Sequence, residues 1–252
     1  MEYPALVPGL LRRRYKRFLA DVELADGSLV VAHCPNTGSM RAVNVPGCRV
    51  WLSPSDNPKR KLDWTWELIE LPQPDGTAAL ASVQTGRANA IVEEALRNGV
   101  VEELHGYTEL RREVKVAGGR LDFRLDRANA PSAFVEVKQV TLKESDGHGY
   151  FPDAVSERGR RHLESLAALA DQGLRAVLLF CVAHTGIPDV APAAHLDSAY
   201  AHTLRAVAEC GVEVLAYGCQ VECVNGIPQA IRLARHLPVS LTRQANIART
   251  ID

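Results

Sequence analysis

Apolar and polar residues alternate with a period of two over much of the first third of the chain. Residues 18–24 (FLADVEL) and 28–33 (SLVVAH) flank Asp26-Gly27, a hairpin turn signal. The alternation returns at residues 49–53 and again over 62–71. The loop CPNTGSM (residues 34–40) and the run SPSDNPKRK (residues 53–61) interrupt it. Short strands and turns with no helical period predict a small barrel of the OB type.

The pattern changes after PQPDGT, residues 72–77, which reads as a linker and sets expected domains of 1–78 and 79–252. Ile91, Val92, Ala95 and Leu96 recur at helical spacing, and Asn98-Gly99 ends that helix. Residues 109–116 read as a strand, followed by Gly118-Gly119 and a hairpin over 121–140. Ser156 caps an expected helix to about residue 171, with Leu163, Leu166, Ala167 and Ala170 on one face. AVLLFCV, residues 176–182, is apolar throughout, as in a strand covered on both faces. A helix over 198–210 and a strand over 212–217 follow. The second part is thus an α/β domain built on a mixed sheet, and the whole chain is α+β.

Composition narrows the partners. The 252 residues are 46% hydrophobic and 23% charged, with a net charge of −1. No global basic field marks a nucleic-acid binder, so any such contact uses local patches. No apolar run reaches membrane-spanning length, and residues 1–18 lack a signal-peptide pattern, so a cytoplasmic location is expected. The six cysteines are expected as free thiols. Cys219 and Cys223 have no second Cys or His pair at zinc-site spacing.

The chemistry lies in LDFRLDRANAPSAFVEVKQV, residues 121–140. Alternation puts Leu121, Phe123 and Leu125 on one face and Asp122, Arg124 and Asp126 on the other. If Asp126 faces Ser132, Asp122 faces Glu136 across the hairpin. Two opposed carboxylates cost stability unless something lies between them. Oxygen ligands so placed suit Mg²⁺ (or Mn²⁺), with the Val137 carbonyl as a further ligand and Glu113 on the preceding strand as another. Lys138 sits where it assists phosphodiester hydrolysis. The plainer alternative is a solvated hairpin face on which Glu136 and Lys138 neutralise each other. Glu94, on the preceding helix, reads as a surface residue. A helix, strands bearing Asp and Glu-x-Lys, then a helix and a buried strand match the PD-(D/E)XK nuclease core, although Leu121 stands where that motif has proline.

The stretches RRYKRFLADV, HCPNTGSM, RLDFRLD, FVEVKQVTL and FPDAVSERGRRHL resemble the sugar fermentation stimulation protein family along almost the whole chain. The resemblance implies an OB-like domain followed by a PD-(D/E)XK nuclease-like domain. It also implies non-specific DNA binding and a regulatory link to maltose and sugar metabolism. It places Asp122, Glu136 and Lys138 in the metal and catalytic positions.

Three basic clusters are candidate nucleic-acid contacts. In RRRYKR, Arg13, Tyr15 and Arg17 share a face if the strand runs through them; phosphate contact with base stacking competes with a solvated edge strand. Lys59, Arg60 and Lys61 precede Trp64 and Trp66, which fit a barrel core better than a stacking platform. Arg158, Arg161 and His162 fall on the first turns of a helix, where cations oppose the helix dipole unless an anion is bound. Asn36, Thr37, Gly38 and Ser39 form a possible phosphate loop, though tight turns use the same residues. Three functions follow: a metal-dependent deoxyribonuclease, a silent DNA-binding regulator, and a nucleotide or sugar-phosphate binder.

Overall fold

The computed structural model describes residues 1–55, 57 and 59–247. The expected alternating segments form β1 (Val7–Tyr15), β2 (Leu19–Leu24), β3 (Leu29–His33), β4 (Arg49–Pro54) and β5 (Trp64–Pro72). Their order is β3-β2-β1-β4-β5, and Ala32↔Trp64 and His33↔Thr65 close the sheet into an OB-like barrel. Trp66 is fully buried inside it with Leu11, Leu52 and Ile69, and Trp64 packs against the same cluster. The tryptophans therefore fill the barrel rather than stack bases.

The segment read as a linker is part of the barrel sheet. PQPDGT is a hairpin turn, with Thr77 N–H on Asp75 Oδ1 at 2.9 Å. It leads to β6 (Ala78–Ser82), which pairs with β5. Pro, Asp and Gly serve a tight turn as readily as a linker. Residues 1–3 also depart from the expected division: Glu2 bridges Ala230, and Tyr3 packs in the core of the second domain.

The second domain opens with α1 (Gly86–Arg97). It continues through β7 (Glu109–Val116), β8 (Gly119–Asp126) and β9 (Ala133–Val140). A small sheet comprises β10 (Leu142–Lys143), β11 (Gly149–Phe151) and a later strand, β13 (Val190–Pro192). Then come α2 (Glu157–Ala170), β12 (Arg175–Val182), α3 (Ser198–Glu209), β14 (Glu213–Val224) and β15 (Ile227–His236). The main sheet runs β15-β14-β12-β9-β8-β7, with β9, β12 and β14 parallel and the outer pairs antiparallel.

Period-two alternation on β12 explains its unbroken apolar run. Val177, Leu179 and Cys181 pack on the α1 side, and Leu178, Phe180 and Val182 pack under α2 and α3. Burying each such side chain contributes about 1.5–3 kcal/mol, which fixes the rigid floor beneath β9. Cys181 and Cys219 are free, with sulfur atoms 3.7 Å apart, and Cys223 is exposed. No helix among the described residues is long and apolar enough to cross a membrane.

Candidate functional site

Strands β8 and β9 pair as Phe123↔Val135, Arg124↔Phe134 and Leu125↔Ala133, the register expected from the sequence. The ladder stops there, one position before Asp122 and Glu136. Across β8 the pairing with β7 is also interrupted. Arg112↔Phe123 and Val114↔Leu121 are paired, while Glu113, opposite Asp122, has φ 54°.

This left-handed residue changes the faces. Leu121 packs with Phe134 and Val140 beneath α2, whereas Phe123 and Leu125 pack with Val135 beneath α1. Simple alternation, which put Leu121, Phe123 and Leu125 together, therefore fails at this kink. Asp122 turns into the gap where the strands part. Its Oδ2 accepts the Val137 N–H at 2.8 Å and its Oδ1 accepts Asn89 Nδ2 at 2.7 Å. By strand geometry the Val137 carbonyl leaves on the same side.

Glu136 is 2% exposed. Its Oε1 accepts Lys138 Nζ at 2.6 Å and a short hydrogen bond from His162 Nδ1. Arg158 Nε lies 3.4 Å from His162 Nε2, and Lys138 Nζ lies 3.3 Å from His162 Nδ1. Glu136 Oε2 is buried without a hydrogen-bond partner.

The two carboxyls are driven apart electrostatically. Burial first, and then the negative charge of Glu136, raise the Asp122 carboxyl above its ordinary value, against the bonds from Val137 and Asn89. Burial would raise Glu136 as well. The hydrogen bond from His162 and the charge of Lys138 outweigh it and hold that carboxyl below its ordinary value. Unequal environments for two neighbouring acids are the usual arrangement for dividing chemical roles between them.

A cavity of about 850 Å³ opens over these groups, walled by both domains. Asp122, Glu136 and Lys138 lie in it, with Val137 and Glu113. Glu113 is tied to Arg120 at 3.1 Å. Lys115, Arg120 and Arg158 give the rim positive charge. Among the described residues no three His, Cys, Asp or Glu side chains converge as a ready-made metal cage. The candidate donors are the two carboxylates, the unpartnered Glu136 Oε2 and the Val137 carbonyl, all hard oxygens of the kind Mg²⁺ takes.

The basic clusters divide. Arg158 lines the cavity. Arg161 is exposed outside its lining, and His162 is buried with its ring turned to Glu136 rather than outward. On the barrel, β1 ends at Tyr15, and Lys16 and Arg17 form a turn at φ 48° and 62°. Arg17 therefore does not continue the face of Arg13 and Tyr15. Arg13 is bound to Asp21 at 2.6 Å and lies over the Tyr15 ring. Arg17 instead borders a neighbouring hollow of about 500 Å³ across the Thr37–Gly38 loop. Lys59 and Lys61 are exposed on their loop, and Arg60 donates to Thr65 Oγ1 at 2.9 Å; none of the three lines the main cavity. Glu94 binds the Met1 amine at 2.8 Å, away from the site, in line with the surface reading.

The loop at 36–39 is held by its own chain. Asn36 Oδ1 accepts the Gly38 N–H, and Asp153 Oδ2 accepts the Met40 N–H and the Ser39 hydroxyl, each at 2.9 Å. Arg14 donates to the carbonyls of Arg17, Asn36 and Gly38. Asp153 thus supplies a carboxylate to the end of this loop, while Asn36, Thr37 and Gly38 line the cavity. Asn89, Lys115 and Arg120 were not apparent in the sequence. Asn89 sits at the edge of the apolar stripe of α1, and its neutral amide looks like any helix surface residue.

A closed OB-type barrel, joined to a mixed sheet that bears a lone acid on one strand and Glu-x-Lys on the next, defines a two-domain protein with a nuclease-like fold. Residues 13–80 match the family described as SfsA N-terminal OB domain, and residues 86–224 match the Sugar fermentation stimulation protein RE domain. The chain is 70% identical to a sugar fermentation stimulation protein homolog of Chromohalobacter salexigens, covering 97% of this chain and 96% of that one. It is 54% identical to a homolog of Pseudomonas putida, with 95% and 98% covered. A solved structure of Pyrococcus furiosus SfsA in complex with Ca²⁺ superposes with a TM-score of 0.82 at 27% identity, covering 95% of this chain and 98% of that one. The chain belongs to the sugar fermentation stimulation protein family.

Proposed function

We propose that the chain binds DNA without sequence preference and hydrolyses its phosphodiester bonds with a divalent cation, Mg²⁺ or Mn²⁺. The observation that carries this reading is the acid pair: Asp122 raised by burial and its neighbour's charge, beside a Glu136 oxygen that is buried without a partner. A buried carboxylate oxygen lacking a partner is costly, and a cation on that oxygen relieves it. The Ca²⁺ complex of the Pyrococcus furiosus relative is in keeping with this.

Asp122 and Glu136, with the Val137 carbonyl, would hold the ion. When bound, it supplies Lewis-acid polarisation of a phosphate oxygen and a lowered pKa for the attacking water. The chain's own groups do the rest. Lys138 places its Nζ beside Glu136, where it offsets charge developing on the phosphoryl oxygens. Lys115, Arg120 and Arg158 hold flanking phosphates at the rim. Asn89 fixes the Asp122 carboxylate.

The test is incubation of the purified protein with single- and double-stranded DNA and Mg²⁺ or Mn²⁺. Cleavage is expected to fall by at least about 10²-fold in Asp122→Ala and in Glu136→Ala, the scale seen when one charge-stabilising group is removed. Cleavage that survives both substitutions overturns the reading. A second reading, DNA binding without cleavage as a regulator of sugar (maltose) metabolism, is favoured by the lack of a three-residue metal cage among the described residues. It predicts salt-dependent binding, weakened by loss of Arg158 or Arg17, and no metal-dependent products.

A further inference from the structure

We propose that His162 is a positioning residue for the Glu136 carboxylate, an inference that rests on the metal-binding reading above. Three observations converge on it. His162 is largely buried near the start of α2, at the wall of the cavity, and its Nδ1 lies on Glu136 Oε1. Arg158 Nε lies 3.4 Å from the opposite ring nitrogen, so the ring is held from both sides with its Nδ1 edge against Glu136. Lys138 Nζ binds that same Oε1. Both donors therefore converge on one carboxylate oxygen and leave Oε2 without a partner. The carboxylate cannot rotate without giving up two bonds, and the free oxygen is fixed in place for a cation.

The local sequence accounts for this geometry. Ser156 caps α2 through Gly159, so His162 falls on the second turn, three residues beyond Gly159 on the inward side. At Gly159 a Cβ would stand 3.0 Å from the Tyr200 ring and 2.7 Å from Ser156 Oγ. The missing side chain lets the start of α2 pack closely on Tyr200 of α3, which fixes where the second turn and its imidazole stand. Groups that orient a ligand in this way typically change metal affinity by 10–100-fold when removed.

The test uses the full chain and Mn²⁺ alone, followed by titration calorimetry. His162→Ala is expected to weaken Mn²⁺ binding at least about tenfold. His162→Asn is expected to restore it to within about threefold of the unaltered protein, because the asparagine N–H can stand where Nδ1–H stands. Unchanged affinity in the folded alanine variant overturns the proposal, as does a folded asparagine variant that binds no better than alanine. A second measurement does not depend on the metal or on the variants folding. The ¹⁵N imidazole spectrum of the unaltered protein is expected to show a proton on His162 Nδ1, and a bare Nδ1 overturns the proposal. If the unaltered protein takes up no Mn²⁺, the proposed function is what fails, and the placement of Glu136 by His162 is then decided by that spectrum.

Discussion

At the scale of single residues, the site depends on one unfavourable backbone conformation. Glu113 sits in a strand at φ 54°, a region that costs a residue with a Cβ about 1–2 kcal/mol. The cost accompanies the local loss of pairing that frees Asp122 to enter the gap. Glycine relieves it, against the greater chain entropy glycine loses on folding, about 0.5–1 kcal/mol. Glu113→Gly is therefore expected to leave stability unchanged or raise it by up to about 1 kcal/mol in urea denaturation. Glu113→Val, β-branched and worse in that region, is expected to lower it by about 1–2 kcal/mol. The ion pair with Arg120 adds little to either figure, since both partners are about half exposed. A glycine variant less stable than the valine variant would show that the kink is not strained. This residue also marks where the sequence stopped being legible. The register of β8 on β9 followed from alternation and loop length, and Asp122, Glu136 and Lys138 were found together as expected. The turn of Asp122 into the gap was hidden, because a left-handed glutamate leaves no mark that glycine or asparagine would leave.

At the scale of elements, α2 delivers Arg158 and His162, so its start must be fixed. Ser156 Oγ accepts the Gly159 N–H at 3.1 Å, an N-cap read directly from the sequence. Asp197 was not read. It caps α3 through the Tyr200 N–H and also accepts the Ser156 N–H, each at 2.8 Å, and it is 4% exposed. One buried aspartate thus holds the starts of α2 and of the α3 helix packed against it. Ser156→Ala is expected to cost about 1 kcal/mol, as for an ordinary cap. Asp197→Ala removes a cap and also leaves an enclosed N–H unpaired, for about 2–4 kcal/mol in all. Equal losses on thermal or chemical denaturation would refute the shared role. Long periodic elements such as α2 and β12 were legible because burial imposes their period. β6 was missed because AALAS is alanine apart from Leu80 and Ser82, too short and too uniform for alternation to show. β15 was missed although Asn225-Gly226, with φ 51° and 77°, is the turn signal that announces such a hairpin.

At the scale of the whole molecule, the cavity exists because the barrel and the mixed sheet are locked together. Two clamps do this. Asp153 holds the 36–40 loop on one side. On the other, β6 runs against residues 183–185, with Ser82 N–H on the Ala183 carbonyl at 2.8 Å and Leu80 and Thr185 linked in both directions. His184 lies in this second clamp, 2% exposed, bridged to Ala81, its Nδ1 accepting the Gly186 N–H at 3.0 Å. That bond requires a bare nitrogen. Burial, and then the charge of Lys143, push the imidazole down to about 4. As the pH falls from about 6.5, the ordinary value, toward about 4, the unfolded chain takes up a proton that the folded chain refuses. The stability present above about 6.5 is thus lost through that window, by about 2 kcal/mol at pH 5 and about 3 kcal/mol at its lower end. Denaturation at a series of pH values should show this slope, and His184→Gln should make it shallower, leaving the contributions of the carboxylates and of His33, which burial also pushes down. Because the strain falls on the junction, the cavity should open before the separate cores melt. Protection of the Ser82 and Thr185 amides from hydrogen exchange is therefore expected to fall between pH 7 and 5, before that of the β12 amides. Equal fading of both would place the weakness in the second domain as a whole and not at its seam with the barrel.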